Sequence, residues 1–252
     1  MKIIKLLACA ACAVALLTGC GRRDDIIQDF GPEGFYDRGF EAMDSGNYIG
    51  AIAYFQQLEA RYPFSNLTRQ AQLDLIYLYD RSRQPEAAID AAEEFERENP
   101  THPRVDYCIY MKGRVYFDQS PNILERVFNV DMSVRPPKDT LASFAAFQEL
   151  LRRFPDSRYA DDARQRMVYL RNRLTAYENH VARYYLQRGA HVAAINRTMY
   201  ALEHYPGSPG LVDTLALMIE AYDQLGMVDL AVDAERVLME TFGEPAQPIR
   251  LE

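Results

Sequence analysis

An all-α array of five helix pairs, with an expanded middle and one long helix, is the fold class predicted by this 252-residue sequence. Three observations predict it. Small and apolar residues recur at one spacing ahead of look-alike junctions, most successive copies begin 37 residues apart, and residues 157–188 hold no glycine or proline. The junctions read RYPFS, RENPTHP, RFPDS and HYPGS. Counting back from the proline, Gly39, Ala51, Phe55 and Pro63 are separated by 12, 4 and 8 residues. Ile76, Ala88, Ala92 and Pro100 repeat that spacing, as do Ala182, Ala194, Thr198 and Pro206. A middle copy begins at Gly113 and ends with Ser143, Phe147 and Pro155. A last copy runs Ile219, Ala231, Glu235, with Gly243 in place of the proline.

The physical sense of the pattern is a stacked solenoid. Small residues on the first helix, and at the start of the second, let two axes approach; proline stops the second helix because it lacks an N–H and clashes with the preceding turn. Tyr79, Tyr116, Tyr185 and Tyr222 follow the first marker by three residues, and Gly46, Gly189 and Gly226 follow it by seven, at the turn between helices. This is the pattern of a tetratricopeptide-repeat superhelix. Its middle is stretched: Gly113 to Ala182 is 69 residues, 32 more than one repeat. Eighteen of the extra residues fall in QSPNILERVFNVDMSVRPPK, an insertion over residues 119–138. The other 14 lie between Pro155 and Ala182. There Ala163, Met167, Leu170, Leu174, Tyr177, Val181 and Tyr184 step by three and four, predicting one helix over 157–188. Unbroken, that helix would be about 48 Å long.

At the N-terminus, Lys2 and Lys5 precede a short apolar run, which reads as a secretory signal over residues 1–19. As a membrane span it is marginal, since crossing the hydrocarbon takes about 20 apolar residues. Leu17-Thr18-Gly19-Cys20 resembles the bacterial lipobox, which implies cleavage before Cys20 and its modification by an N-acyl chain and S-diacylglycerol. In lipoproteins of this kind Asp after the cysteine favours the inner membrane; Gly21 stands there, which implies the outer membrane with the chain on its periplasmic face. Residues 20–31 then form a lipidated linker, 32–155 an N-terminal half of three repeats, 156–243 a C-terminal half of two, and 244–252 a tail. Of Cys9, Cys12, Cys20 and Cys108, only Cys108 remains for the folded body, so no disulfide is expected. Its setting, VDYCIYM, reads as a buried structural thiol.

Charge excludes some partners. The net of −8 argues against nucleic acid. Residues 157–188 depart from it, with seven arginines against Asp161, Asp162 and Glu178, while residues 20–156 and 189–252 each carry −7. That arginine face is either solvated and bridged to acidic neighbours or a docking surface for an acidic partner. No glycine-rich phosphate loop, nucleophile elbow or metal-ligand spacing is present, so neither an enzyme nor a metal or other cofactor is expected. His102 in NPTHP reads as a cap or a turn residue.

What the chain does offer is an inner groove lined by the first helix of each repeat. In register, Tyr36, Phe40, Met43, Leu73, Tyr77, Tyr107, Tyr110 and Phe117 fall there, shared between groove and helix seam. Further on, Val192, Ile195, Met199 and Leu202 recur at helical steps and are expected to be buried, leaving Arg197 off the stripe.

The segments RYPF, QLDLIYLYD, NPTHPRVDYCIYMKG, VYLRNRLTAYENHVARYYLQRGAHVAAINR and HYPGS resemble the BamD family, lipoproteins of the β-barrel assembly machinery, across nearly the whole mature chain. The resemblance implies a non-enzymatic role in folding and inserting outer-membrane barrels. It implies binding to the BamA POTRA domain, to BamC- and BamE-type lipoproteins, and to unfolded barrel proteins. The N-terminal repeats would meet barrel segments; the C-terminal repeats would hold BamA, with Arg197, Arg188 and Arg183 as contacts. Two places depart from the family's pattern: His191 stands where an aromatic is usual, and VRPPK replaces a more acidic run. A pilotin lipoprotein escorting a secretin is the rival reading, and the 32-residue expansion weighs against it. An enzyme on a repeat scaffold is the other.

Overall fold

The structure, a computed structural model, describes residues 30–119 and 137–243. The signal over 1–19, Cys20 with most of the linker, residues 120–136 of the insertion and the tail 244–252 lie outside the described residues. Among those described there are ten helices and no strand: α1 (Gly31–Asp44), α2 (Tyr48–Arg61), α3 (Asn66–Arg81), α4 (Pro85–Glu98), α5 (Val105–Gln119), α6 (Lys138–Arg153), α7 (Ala160–Gln187), α8 (His191–His204), α9 (Leu211–Gln224) and α10 (Val228–Phe242). Each helix packs on the next, making five antiparallel pairs, and α1 also touches α3, α3 touches α5 and α7 touches α9. The first helices of the pairs therefore form one layer, the tetratricopeptide architecture.

The junctions show why the helices stop where they do. Tyr62, Asn99, Phe154 and Tyr205 each precede a proline, and their ψ angles are 55°, 56°, 63° and 48°. The proline ring crowds the residue before it out of the α region, so α2, α4, α6 and α8 end there. Two residues past three of these prolines a serine oxygen accepts the next turn's N–H: Ser65 from Leu67, Ser157 from Tyr159, Ser208 from Gly210. At the fourth junction His102 Nδ1 accepts from the Arg104 N–H at 3.2 Å, so of the cap or turn role its loop suggested it takes the turn ahead of α5.

The small markers sit at the tightest approaches. A Cβ on Gly39 would stand 2.3 Å from the Phe55 ring, and one on Gly113 2.7 Å from the Phe147 ring. Ser143 adds a buried hydrogen bond, its hydroxyl donating to the Gly113 carbonyl at 2.8 Å. Ala51, Ala182, Ala194 and Thr198 are fully buried in the corresponding places. The pattern loosens only at the end of the array, where Ile219 is half-buried and Glu235 exposed. Apolar clusters run without a break across residue 155, joining Val105, Ile109, Phe147 and Leu150 to Ala163 and Leu170. Cys108 is buried, and burial pushes its thiol up to about 12.

Two expectations need correction. The long helix has 28 residues, not the 32 of 157–188. Residues 157–159 form the Ser157 turn and Arg188 is the C-cap, so its length is nearer 42 Å at roughly 1.5 Å per residue. On α8 the stripe expected inside is turned outward: Val192 is 60% and Met199 53% exposed, Leu202 is half-buried, and only Ile195 is buried. Ala194, Thr198 and Ala201 take the seam instead. Close helix approach rewards small side chains there, and the larger ones are displaced to the flank.

Candidate interaction surfaces

The inner layer is fastened by tyrosine–carboxylate bonds between the first helices of successive pairs. Tyr36 on α1 donates its hydroxyl to Asp74 on α3 at 2.9 Å, and Tyr110 on α5 donates to Asp162 on α7 at 2.9 Å. The two tyrosines stand three residues before Gly39 and Gly113, the same place in the repeat. Burial is the main cause of the raised Asp74 carboxyl, which the Tyr36 and Gln70 hydrogen bonds and the Arg104 charge only partly offset. Burial also tends to raise Asp162, but the Arg166 and Tyr110 hydrogen bonds outweigh it and hold that carboxyl below its usual range.

Most of the expected groove residues are thus tied into contacts. The Tyr36 ring packs on Phe55 at 5.4 Å; Tyr107 meets Tyr159 at 5.9 Å; Tyr110 stacks on Tyr159 at 4.5 Å. Phe117 lies edge-on to Tyr169, with the Arg166 guanidinium 4.7 Å above its ring. Leu73 falls on the seam side of that division: it is buried with Ile76, Phe95 and Cys108. Phe40 is the most open of the set, 49% exposed, while Met43 and Tyr77 are half-buried, with Arg81 reaching over the Tyr77 ring. A rim of Phe40 and Tyr77 is what the groove offers to solvent, backed by half-buried Tyr36, Tyr107, Tyr110 and Phe117.

In the C-terminal half Arg197 on α8 donates to Glu178 on α7 at 3.3 Å, the arginine side chain 42% exposed and the glutamate 7%. Burial raises the Glu178 carboxyl; Arg197 opposes that shift without cancelling it. Arg197 also lines a hollow of about 340 Å³ with Tyr185, Ala193, Asn196 and Tyr200. Arg188 lies over the Tyr184 ring at 4.7 Å, and Arg183 is half-buried. Arg183 and Arg188 belong to α7 and its cap, Arg197 to α8, and no contact joins the three among the described residues. His191 opens α8 with its Nδ1 buried and unpartnered. Asp74, Tyr159 and Glu178 were not singled out for these contacts in the sequence. The signal was there for the first two, in tyrosines that hold one repeat position and face the next helix.

Comparison with known proteins bears on the whole array. The family described as "YfiO: Outer membrane lipoprotein" matches residues 28–237, from ahead of α1 into α10. A Vibrio cholerae protein named Outer membrane protein assembly factor BamD is 39% identical over 90% of this chain and 94% of its own length. One of the same name from Neisseria meningitidis serogroup A is 39% identical over 94% of this chain and 88% of its own. Another, from Pasteurella multocida, is 32% identical over 98% of each. The crystal structure of MamA protein overlaps 85% of this chain and 96% of that one at 17% identity and a TM-score of 0.39, too remote to inform the fold. With the match running through all five helix pairs, this chain belongs to the YfiO family of outer membrane lipoproteins.

Proposed function

We propose that this chain is a non-enzymatic scaffold of outer-membrane β-barrel assembly, held to the periplasmic face of the outer membrane by lipid on Cys20. The observation that carries the reading is the near full-length match to relatives named for outer membrane protein assembly. The C-terminal pairs hold the BamA POTRA domain, with Arg197 as principal contact and Arg188 and Arg183 as further contacts. Its place over a hollow, part-exposed while its partner Glu178 is buried, supports that role for Arg197. A guanidinium so placed keeps donors free for a second carboxylate. BamC- and BamE-type lipoproteins are further partners, and the groove rim of Phe40 and Tyr77 receives unfolded barrel segments.

Affinity capture of the lipoprotein from its own membranes, read by mass spectrometry, tests the proposal. Recovery of BamA is the expected result. Recovery of a secretin without BamA would replace the assembly reading with the pilotin one.

A further inference from the structure

The long helix α7 carries a second surface, of which the proposed contact with BamA uses only Arg188. Arg173, Tyr177, His180, Tyr184 and Arg188 follow one another at steps of four, three, four and four residues, so they share one face of the helix. Nearer the N-terminus this face is already occupied, where Phe117 of α5 meets Arg166 and Tyr169. From Arg173 onward the face opens by degrees: Arg173, Tyr177 and His180 are half-buried, Tyr184 is 45% exposed and Arg188 is exposed.

Among the described residues the arginines of this strip form no ion pair, and Arg188 lies over the Tyr184 ring. The Arg173 Nε is buried without a hydrogen-bond partner. The contrast lies on the same helix, where Arg164 and Arg166 are paired with Asp161 and Asp162. Arginines left unpaired, in a chain of net −8, make a localised positive field that attracts carboxylates to one place. Tyrosine rings between the cations provide apolar faces at alternate positions.

We infer that this face of α7 docks an extended, glutamate- or aspartate-rich segment of a partner polypeptide. Arg173 and Arg188 would pair with its carboxylates, and Tyr177 and Tyr184 would pack against the side chains between. The strip is about 22 Å long at roughly 1.5 Å per helical residue, which spans about seven residues of extended chain. Apart from Arg188 it shares no residue with the contact proposed for BamA, so either can fail alone.

The test is fluorescence anisotropy of the full-length lipoprotein in detergent with a labelled peptide of about eight residues alternating glutamate and tyrosine, and a lysine-for-glutamate counterpart. The expected result is binding of the acidic peptide only, weakened by added salt, and about tenfold weaker for Arg173→Glu. Arg97→Glu, a charge-matched change on the exposed face of α4, should leave it unchanged. Should Arg173→Glu lose its helical circular dichroism, Arg173→Gln and Tyr177→Ala carry the test, each expected to weaken binding several-fold. No binding, equal binding of the lysine peptide, or equal losses in Arg173→Glu and Arg97→Glu would overturn the inference.

Discussion

Arg83 stands where three other repeats place glycine. Gly46, Gly189 and Gly226 close the turn within their pairs at φ of 79°, 71° and 71°, and Arg83, at the matching seventh residue after its marker, adopts 61°. A left-handed conformation costs a residue with a Cβ about 1–2 kcal/mol, while glycine loses roughly 0.4–1 kcal/mol more backbone entropy on folding. Arg83→Gly should therefore raise stability by about 0.5–1 kcal/mol, read as a higher urea midpoint at unchanged slope. A lower midpoint would mean that the arginine side chain supports the turn. Arg197 is the other residue whose replacement is informative. Truncating one partner of a desolvated interfacial pair costs roughly 2–5 kcal/mol of binding, so Arg197→Ala should weaken POTRA binding strongly. The same change leaves Glu178 buried and unpaired, which alone perturbs α7 and α8. Arg197→Ala combined with Glu178→Gln separates the two effects: affinity restored in the double variant would show that only the fold had been damaged.

At the level of helices, Glu96 ties three consecutive elements together. From α4 it accepts from Lys112 of α5 at 3.1 Å and pairs with Arg153 of α6, all three side chains largely shielded. Burial tends to raise its carboxyl, but Arg153 and Lys112 outweigh that and hold it below the usual glutamate range. A carboxyl lowered in the folded state contributes stability that is present above its unfolded value and lost as pH falls through the folded one. Glu96→Gln should thus destabilise by about 1–2 kcal/mol at neutral pH, and the gap to wild type should close on acidification below the ordinary glutamate range. Thermal unfolding across that range is the measurement; a gap independent of pH would show that the residue acts through packing alone. Asp74 and Glu178 work in the opposite sense. Their carboxyls are raised by burial, so their charged forms burden the fold above their folded values, and that burden fades as pH falls through those values.

For the molecule as a whole, the array and the proposed lipid anchor are separable. No helix among the described residues is long and apolar enough to cross a membrane. One acyl chain holds a protein only marginally, and several together are needed for a stable anchor. Cys20→Ala should therefore release the chain from the outer-membrane fraction once partners are depleted, with unchanged helical circular dichroism. Continued fractionation with that membrane would show a second anchor. Within the array, an apolar cluster spans residue 155, so the two halves meet through a continuous core there, as neighbouring stacked repeats do.

The repeat register, the five helix pairs, the junction prolines and the local role of His102 in its turn were legible in the sequence, because each is set by local physics. Proline excludes its predecessor from the helix, and a small residue every repeat marks the tight crossing, whatever surrounds them. Side-chain partners were not legible, because they are chosen across distances that the sequence does not encode as a period. Tyr110 could be assigned to the inner layer, but only packing shows that Asp162, 52 residues later, takes its hydroxyl. Leu73 shares the position of Tyr36 and Tyr110 in the repeat and yet lies in the seam. The outward turn of Val192 and Met199 has the same origin: an amphipathic stripe says that one face is apolar, but contact with α7 and α9 decides which face is covered. The pairing of Arg197 with a buried Glu178 was likewise decided by tertiary structure, since it needed α7 and α8 side by side at a fixed rotation.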